Sequence, residues 1–162
     1  NSKLKDENGK TTDFKGFHAI LKPVIEELKN EHYNIELNCA DKNLSPVPND
    51  KMCEYYSKLH VYTCVSNKEG TPKPVLEAMG CGVPIISTDV GVVNEAFGEK
   101  QKQYILGERL AGENDSEIRD NLKRKIRTKK IMIRRLKLIT KRKQINKEKG
   151  RINFKKKKNK KK

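Results

Sequence analysis

Glu69 and Glu77 are the residues of this chain whose type and spacing could do chemistry. Seven residues separate them, within EGTPKPVLEAMGCGVPIISTD, Glu69 to Asp89. An ionised carboxylate only accepts hydrogen bonds, so a pair of them suits a ligand rich in hydroxyl donors. A helix starting near Pro74 places Glu77 in its first turn, beside free backbone amides and the positive end of the helix dipole. Glu69 is left in the loop ahead of it. That arrangement suits a polar, anionic ligand. Taken singly, each acid has a plainer explanation: Glu77 stabilises a helix start by about 0.3–1 kcal/mol, and Glu69 is a loop acid.

The elements that must position this pair follow from the residues around it. Pro72 and Pro74 lack backbone donors, which the first turn of a helix does not need. Val75, Leu76, Ala78 and Met79 give that helix an apolar face, and Gly80 and Gly82 end it. Val83 to Thr88 then reads as a buried parallel strand. Upstream, Phe17, Ile20, Leu21, Val24, Ile25 and Leu28 keep helical spacing over His18 to Lys29, with a kink expected at Pro23. Tyr33 to Cys39 alternates as a strand, and Val47 to Asn49 is a proline-broken connection. Asp50 to Leu59 reads as a short helix capped by Asn49 or Asp50. His60 to Ser66 is the next strand, running into the Glu69 loop. The alternation is that of an α/β domain. Ligands of open parallel sheets bind outside the carboxyl ends of the strands, so Ser66 to Thr71 and Asp89 to Val92 are expected at one crevice.

The frame Glu-Gly-x-Pro-x-Pro-x-Leu-Glu-Ala-Met-x-x-Gly-x-Pro-Ile-Ile resembles the donor-binding core of GT-B retaining glycosyltransferases. Asp13-Phe-Lys-Gly-Phe17 with its helix resembles the first donor-domain helix of that family, and Phe97 to Leu106 resembles its bacterial-type members. The resemblance implies a Rossmann-like parallel sheet with flanking helices, one half of a GT-B enzyme. It implies hexosyl transfer from a nucleotide-sugar donor with retention, and neither a cofactor nor a metal ion. Carried over by position, Glu69 engages the donor sugar as the catalytic carboxylate, and Glu77 binds the ribose hydroxyls. Lys15 reaches the diphosphate, and Gly70 and Thr71 offer backbone amides, Gly70 without a side chain in the way. Asp89-Val-Gly91 and Glu95 line the same side. Two departures stand out. Relatives carry an arginine ahead of the lysine, where this chain offers only Asn1, Ser2, Lys3 and Lys5. The chain also begins where the first strand should have ended, without a methionine, so a fragment lacking the acceptor domain is expected.

The formal net charge of +16 first suggests nucleic acid, but it is unevenly placed. Residues 123–162 hold 22 Lys or Arg and one acid, whereas residues 1–122 hold 15 bases and 20 acids. A nucleotide-sugar-binding domain over 1–122 and a Lys/Arg-rich tail over 123–162 are therefore expected. The basic charge belongs to the tail. Asp115 to Gln144 has helical potential with Ser116 as a cap, and Lys155 to Lys162 should be disordered. As an alternative function the tail binds RNA, DNA or an anionic membrane through charge alone. Phe154 is its one aromatic residue, which argues against base stacking. Of its 40 residues, 31 are Lys, Arg, Ile or Asn, a bias that favours a truncated or frame-shifted reading frame over a selected basic arm.

Cys39, Cys53, Cys64 and Cys81 form no CxxC motif and are expected to be buried, reduced residues of a cytoplasmic protein. His18, His32 and His60 show no ligand spacing with them. No run is long and apolar enough to span a bilayer. The sequence fixes neither acceptor nor oligomeric state.

Overall fold

The computed structural model describes residues 3–5, 11–40, 45–110 and 112–128. The chain divides into two units, Asn1–Lys125 and Ile126–Lys162, and the elements below lie in the first. Strands β1 (Lys3–Lys5) and β2 (Thr11–Asp13) form an antiparallel pair in which Lys3 faces Asp13. A π-helical turn, Phe17–Leu21, leads into α1 (Lys22–Asn30). A 3-10 turn, Asn49–Lys51, leads into α2 (Met52–Ser57). Then come β3 (Tyr62–Cys64), α3 (Lys73–Gly80), β4 (Ile85–Ser87), α4 (Val93–Ala96) and α5 (Glu99–Lys102). Residues 115–128 are helical, those to 125 belonging to this unit.

The mixed α/β class expected from the alternation is the one observed. β3 pairs in parallel with β4, Thr63 opposite Ile86, and Ile105 adds a parallel bridge on the far side of Ser87. The ladder continues past the strand ends. Thr88 N donates to Cys64 O and Asp89 N to Gly107 O, both at 2.9 Å. β4 is buried throughout, as an uninterrupted Ile-Ile-Ser run between helices requires. α3 lays Val75 and Ala78 into a core shared with Tyr56, Val83, Ile85, Val90, Val93 and Phe97. Ile20, Val24 and Leu28 of the first helical segment are fully buried, as are Ile118 and Leu122 of the last helix. Arg119 donates to Ala19 O, and Lys123 pairs with Glu27 at 2.6 Å, joining those two segments.

Several local expectations are corrected. Tyr33 to Cys39 is not a strand. Tyr33, Ile35 and Leu37 do alternate as half-buried positions with exposed neighbours. Alternation sets the faces of an extended chain, whereas a strand also needs a partner ladder. The chain enters this stretch through a turn that no glycine marks. His32 adopts φ 62°, and Tyr33 N reaches back to Leu28 O at 2.9 Å, closing α1 with a left-handed cap. The irregularity foreseen at Pro23 takes the form of the π turn before it, where Leu21 N reaches Gly16 O at 2.9 Å. Neither Asn49 nor Asp50 caps α2 with its side chain. Ser116 lies inside the last helix rather than capping it; Asn114 precedes that helix and accepts from Ile118 N at 3.1 Å. The expected structureless segment, Lys155 to Lys162, lies outside the described residues. Among the described residues no helix is long and apolar enough to cross a membrane.

Candidate functional site

The loop from Val65 to Thr71 leaves the carboxyl end of β3 and is held from two sides by glycines. Gly16 has φ +68°, and a Cβ there would lie 2.3 Å from Val65 O. Gly91 has φ +52°, and its Cβ would lie 1.9 Å from Gly70 O and 3.0 Å from Glu69 O. Only a residue without a side chain permits either approach. By contrast, a Cβ on Gly70 itself would meet nothing within 4 Å. The position where protein packing demands glycine is therefore Gly91, not Gly70. The loop is further tied by Thr88 Oγ1, which donates to Ser66 O at 2.7 Å, and by Asn67 N, which donates to Phe14 O at 2.9 Å.

This clamping brings Lys15 to Glu69 across 54 residues of sequence: the ammonium pairs with Glu69 Oε1. Ser66 Oγ donates to the same oxygen at 2.7 Å. Glu69 is largely covered and Lys15 mostly exposed. Among the described residues no hydrogen bond engages Glu69 Oε2. The Lys15 side is anchored from beneath. Asp13 Oδ2 accepts from His18 N at 2.7 Å and Ala19 N at 2.8 Å, capping the π turn. Buried Arg109 bonds Asp115 Oδ1 at 2.8 Å, Asp13 O at 2.8 Å and Val65 O at 3.4 Å. One guanidinium thus joins the segment before Lys15 to the strand end before Glu69. Its nitrogens are committed to these partners, so it does not replace the arginine that the sequence lacks ahead of Lys15.

Glu77 is placed differently from expectation. α3 begins at Lys73, so Glu77 is its fifth residue, in the second turn. The amides of the first turn are also not free. Lys73 N donates to Thr71 O at 2.8 Å, Val75 N to Pro72 O at 2.9 Å and Leu76 N to Pro72 O at 3.3 Å, while Pro74 has no donor. The proline-bracketed loop folds its own carbonyls over the helix end. No backbone hydrogen bond among the described residues engages the amides of Gly70 or Thr71, both in the exposed loop.

What holds Glu77 is Tyr56 of α2, whose hydroxyl donates to Oε2 at 2.9 Å. Burial, and then the bond to that carboxylate, push the Tyr56 phenol far above its ordinary value. It remains a donor across the physiological pH range. The Tyr56 ring meets Tyr62 edge to face at 5.8 Å. Tyr62 is raised in the same direction, chiefly by burial, with Glu69 among the negative neighbours that add to it. Glu69 and Glu77 share no direct bond: Lys15 and Ser66 hold the first, and Tyr56 holds the second. Asp89 Oδ2 accepts from Asn94 at 3.2 Å, and Glu95 lies exposed in α4. Among the described residues no cluster of three or more His, Cys, Asp or Glu is assembled.

Sequence reasoning missed Tyr56 and Arg109, and placed Ser66 at the crevice without its bond to Glu69. Tyr56 and Arg109 act through contacts 21 and 96 residues away in sequence, which no local pattern announces.

A family model described as "Glycosyl transferases group 1" matches residues 21–144. A curated relative, "Putative teichuronic acid biosynthesis glycosyltransferase TuaC" of Bacillus subtilis (strain 168), is 40% identical over 59 residues. That segment is 36% of this chain and spans 15% of the relative's length. No solved structure matches the chain.

Proposed function

Because the chain belongs to the glycosyl transferases group 1 family, we propose that its parallel-sheet unit binds a nucleotide-diphosphate-sugar and presents it for hexosyl transfer with retention at the anomeric carbon. The observation that carries this reading is the convergence of Lys15 and Ser66 on one oxygen of Glu69, in a loop clamped at a strand's carboxyl end. Lys15 supplies the positive charge for the diphosphate. An ammonium needs proximity rather than a fixed fork, so it serves two phosphates without bidentate geometry. The Gly70 and Thr71 amides add donors, and Glu77 accepts from the ribose hydroxyls.

Glu69 is the carboxylate nearest the chemistry. Lys15 and Ser66 hold Oε1, which leaves Oε2 to accept from a hydroxyl of the donor sugar and orient it. As the bond from the anomeric carbon to the diphosphate lengthens, positive charge grows on the sugar and negative charge on the leaving phosphate. The free Glu69 oxygen faces the first of these charges and the ammonium paired beside it the second, and both are held in place before the reaction. Tyr56 keeps Glu77 in one rotamer before the ribose arrives, lowering the ordering cost of binding. This reading calls on no metal ion or cofactor.

The test is isothermal titration of the full chain with UDP-, GDP- and ADP-hexoses. One of these binds, and Glu77→Ala and Lys15→Met each weaken it by at least about tenfold, the loss of one charge-assisted contact. Binding that is indifferent to both substitutions, or no binding by any of the three, overturns the reading.

A further inference from the structure

We propose that Cys53 and Cys81 form a reversible disulfide under a peroxide oxidant, a modification that fastens α2 to α3 beside the Tyr56–Glu77 bond. Cys81 Sγ donates to Cys53 Sγ at 3.2 Å. The expectation of buried cysteines fails here: Cys53 is exposed and Cys81 half-buried. A soluble oxidant therefore reaches both. A disulfide has its sulfurs about 2.05 Å apart, so closure draws them together by about 1 Å, within the reach of side-chain rotation and a small helix shift.

The two helices carry the pair as a rung. Cys53 stands one helical turn before Tyr56, and Cys81 stands one turn after Glu77. Tyr56 meets Glu77, and Cys53 meets Cys81, so α2 and α3 run antiparallel here with two contacts one turn apart. Closing the sulfur rung holds the other in register. Cys64 is directed elsewhere, its thiol lying 3.8 Å from Ser66 Oγ.

The order of events follows from the environments. The bond to Cys53, and then burial, push the Cys81 thiol up. Exposed Cys53 is therefore the first nucleophile. Its thiolate attacks a peroxide oxygen, the O–O bond breaks, and Cys53 becomes a sulfenic acid as the departing hydroxide takes up a proton to give water. Cys81 sulfur then attacks Cys53 sulfur, the S–O bond breaks, and the leaving hydroxide takes the Cys81 proton as a second water. Two thiols lose two electrons and two protons, and one hydrogen peroxide is reduced to two waters. A dithiol reductant reverses the reaction by exchange. This proposal does not rest on donor binding.

The experiment is treatment of the full chain with hydrogen peroxide, followed by intact mass, peptide mapping and thermal melting. The expected result is a loss of about 2 Da that dithiothreitol restores, with Cys53 and Cys81 in one linked peptide. Tm should rise by roughly 7–14 °C, as closing a loop of this length predicts. Cys53→Ser and Cys81→Ser each abolish the mass loss, whereas Cys39→Ser retains it. Linkage through Cys39 or Cys64, sulfinic acid at Cys53 without a crosslink, or an unchanged mass overturns the proposal. The mapping on unsubstituted protein decides it even if a serine variant fails to fold.

Discussion

Lys15 and Glu69 form an ion pair across 54 residues of sequence, joining the entry of the first helical segment to the loop after β3. The ammonium is more than half exposed, so solvent screens the pair and its contribution to stability is small, below about 1 kcal/mol. Lys15→Met should accordingly leave the urea midpoint nearly unchanged while weakening nucleotide-sugar binding at least about tenfold. Parallel unfolding and calorimetric titrations separate the two effects. A large fall in stability with unaltered affinity contradicts the assignment.

Gly91 and Gly70 offer a contrast that packing alone predicts. Gly91→Ala drives a methyl group to 1.9 Å from Gly70 O at a positive φ, so the loop must shift. The cost should be about 2–4 kcal/mol, from overpacking together with a left-handed non-glycine residue. Gly70→Ala meets open space and should change stability by less than about 0.5 kcal/mol. Denaturant unfolding of the two variants checks the ordering. If Gly70→Ala also weakens nucleotide-sugar binding, the ligand itself occupies that space.

Arg109 and Asp115 are a covered pair, with side-chain exposures of 1% and 17%. Removing Arg109 strands the Asp115 charge and takes the guanidinium donor from Val65 O, while Asp13 O keeps the bond from Gly16 N. Arg109→Met should cost about 3–5 kcal/mol. Asp115→Asn keeps the shape and part of the hydrogen bonding, so it should cost less. Thermal melts measure both, and an Arg109→Met variant as stable as the parent removes the clamp from this account.

Tyr56 has a folded-state pKa raised above its ordinary 10.0. The unfolded chain therefore releases this proton first as pH rises, and it binds fewer protons than the native state above about pH 10. The stability linked to protonated Tyr56 is complete below that pH and is lost as pH climbs toward the folded value. Tyr56→Phe should cost about 1 kcal/mol at pH 8 through the lost bond to Glu77. It should also flatten the alkaline fall between pH 9 and about pH 11, although Tyr62 retains its own share. Urea midpoints of the two proteins across that range give the slopes. Identical slopes contradict the assignment.

The α/β class, the helix after Pro72, the buried Ile85–Ile86 strand and the Glu69 loop were legible in the chain because each rests on neighbours in sequence. Apolar spacing, prolines without donors and glycines at turns act over a few residues. The strand expected at Tyr33 to Cys39 failed for the complementary reason: its alternation is real, but pairing depends on a remote edge. The placement of Glu77 in the first turn failed by one residue at the helix start, and the carbonyls of Thr71 and Pro72 took the amides that a helix end usually leaves open.

By itself the sequence singled out Glu69, Glu77 and Lys15 as candidates and determined an α/β frame with Glu69 in the loop after a parallel strand. Only the tertiary structure decided which of them meet. Lys15 reaches Glu69 because Gly16 and Gly91 let two distant backbones close on one loop and buried Arg109 joins its supports. Glu77 turns to Tyr56 because α2 packs antiparallel to α3. Local propensity acts within a helical turn, whereas these contacts depend on how apolar faces are buried together, and that depends on the whole unit.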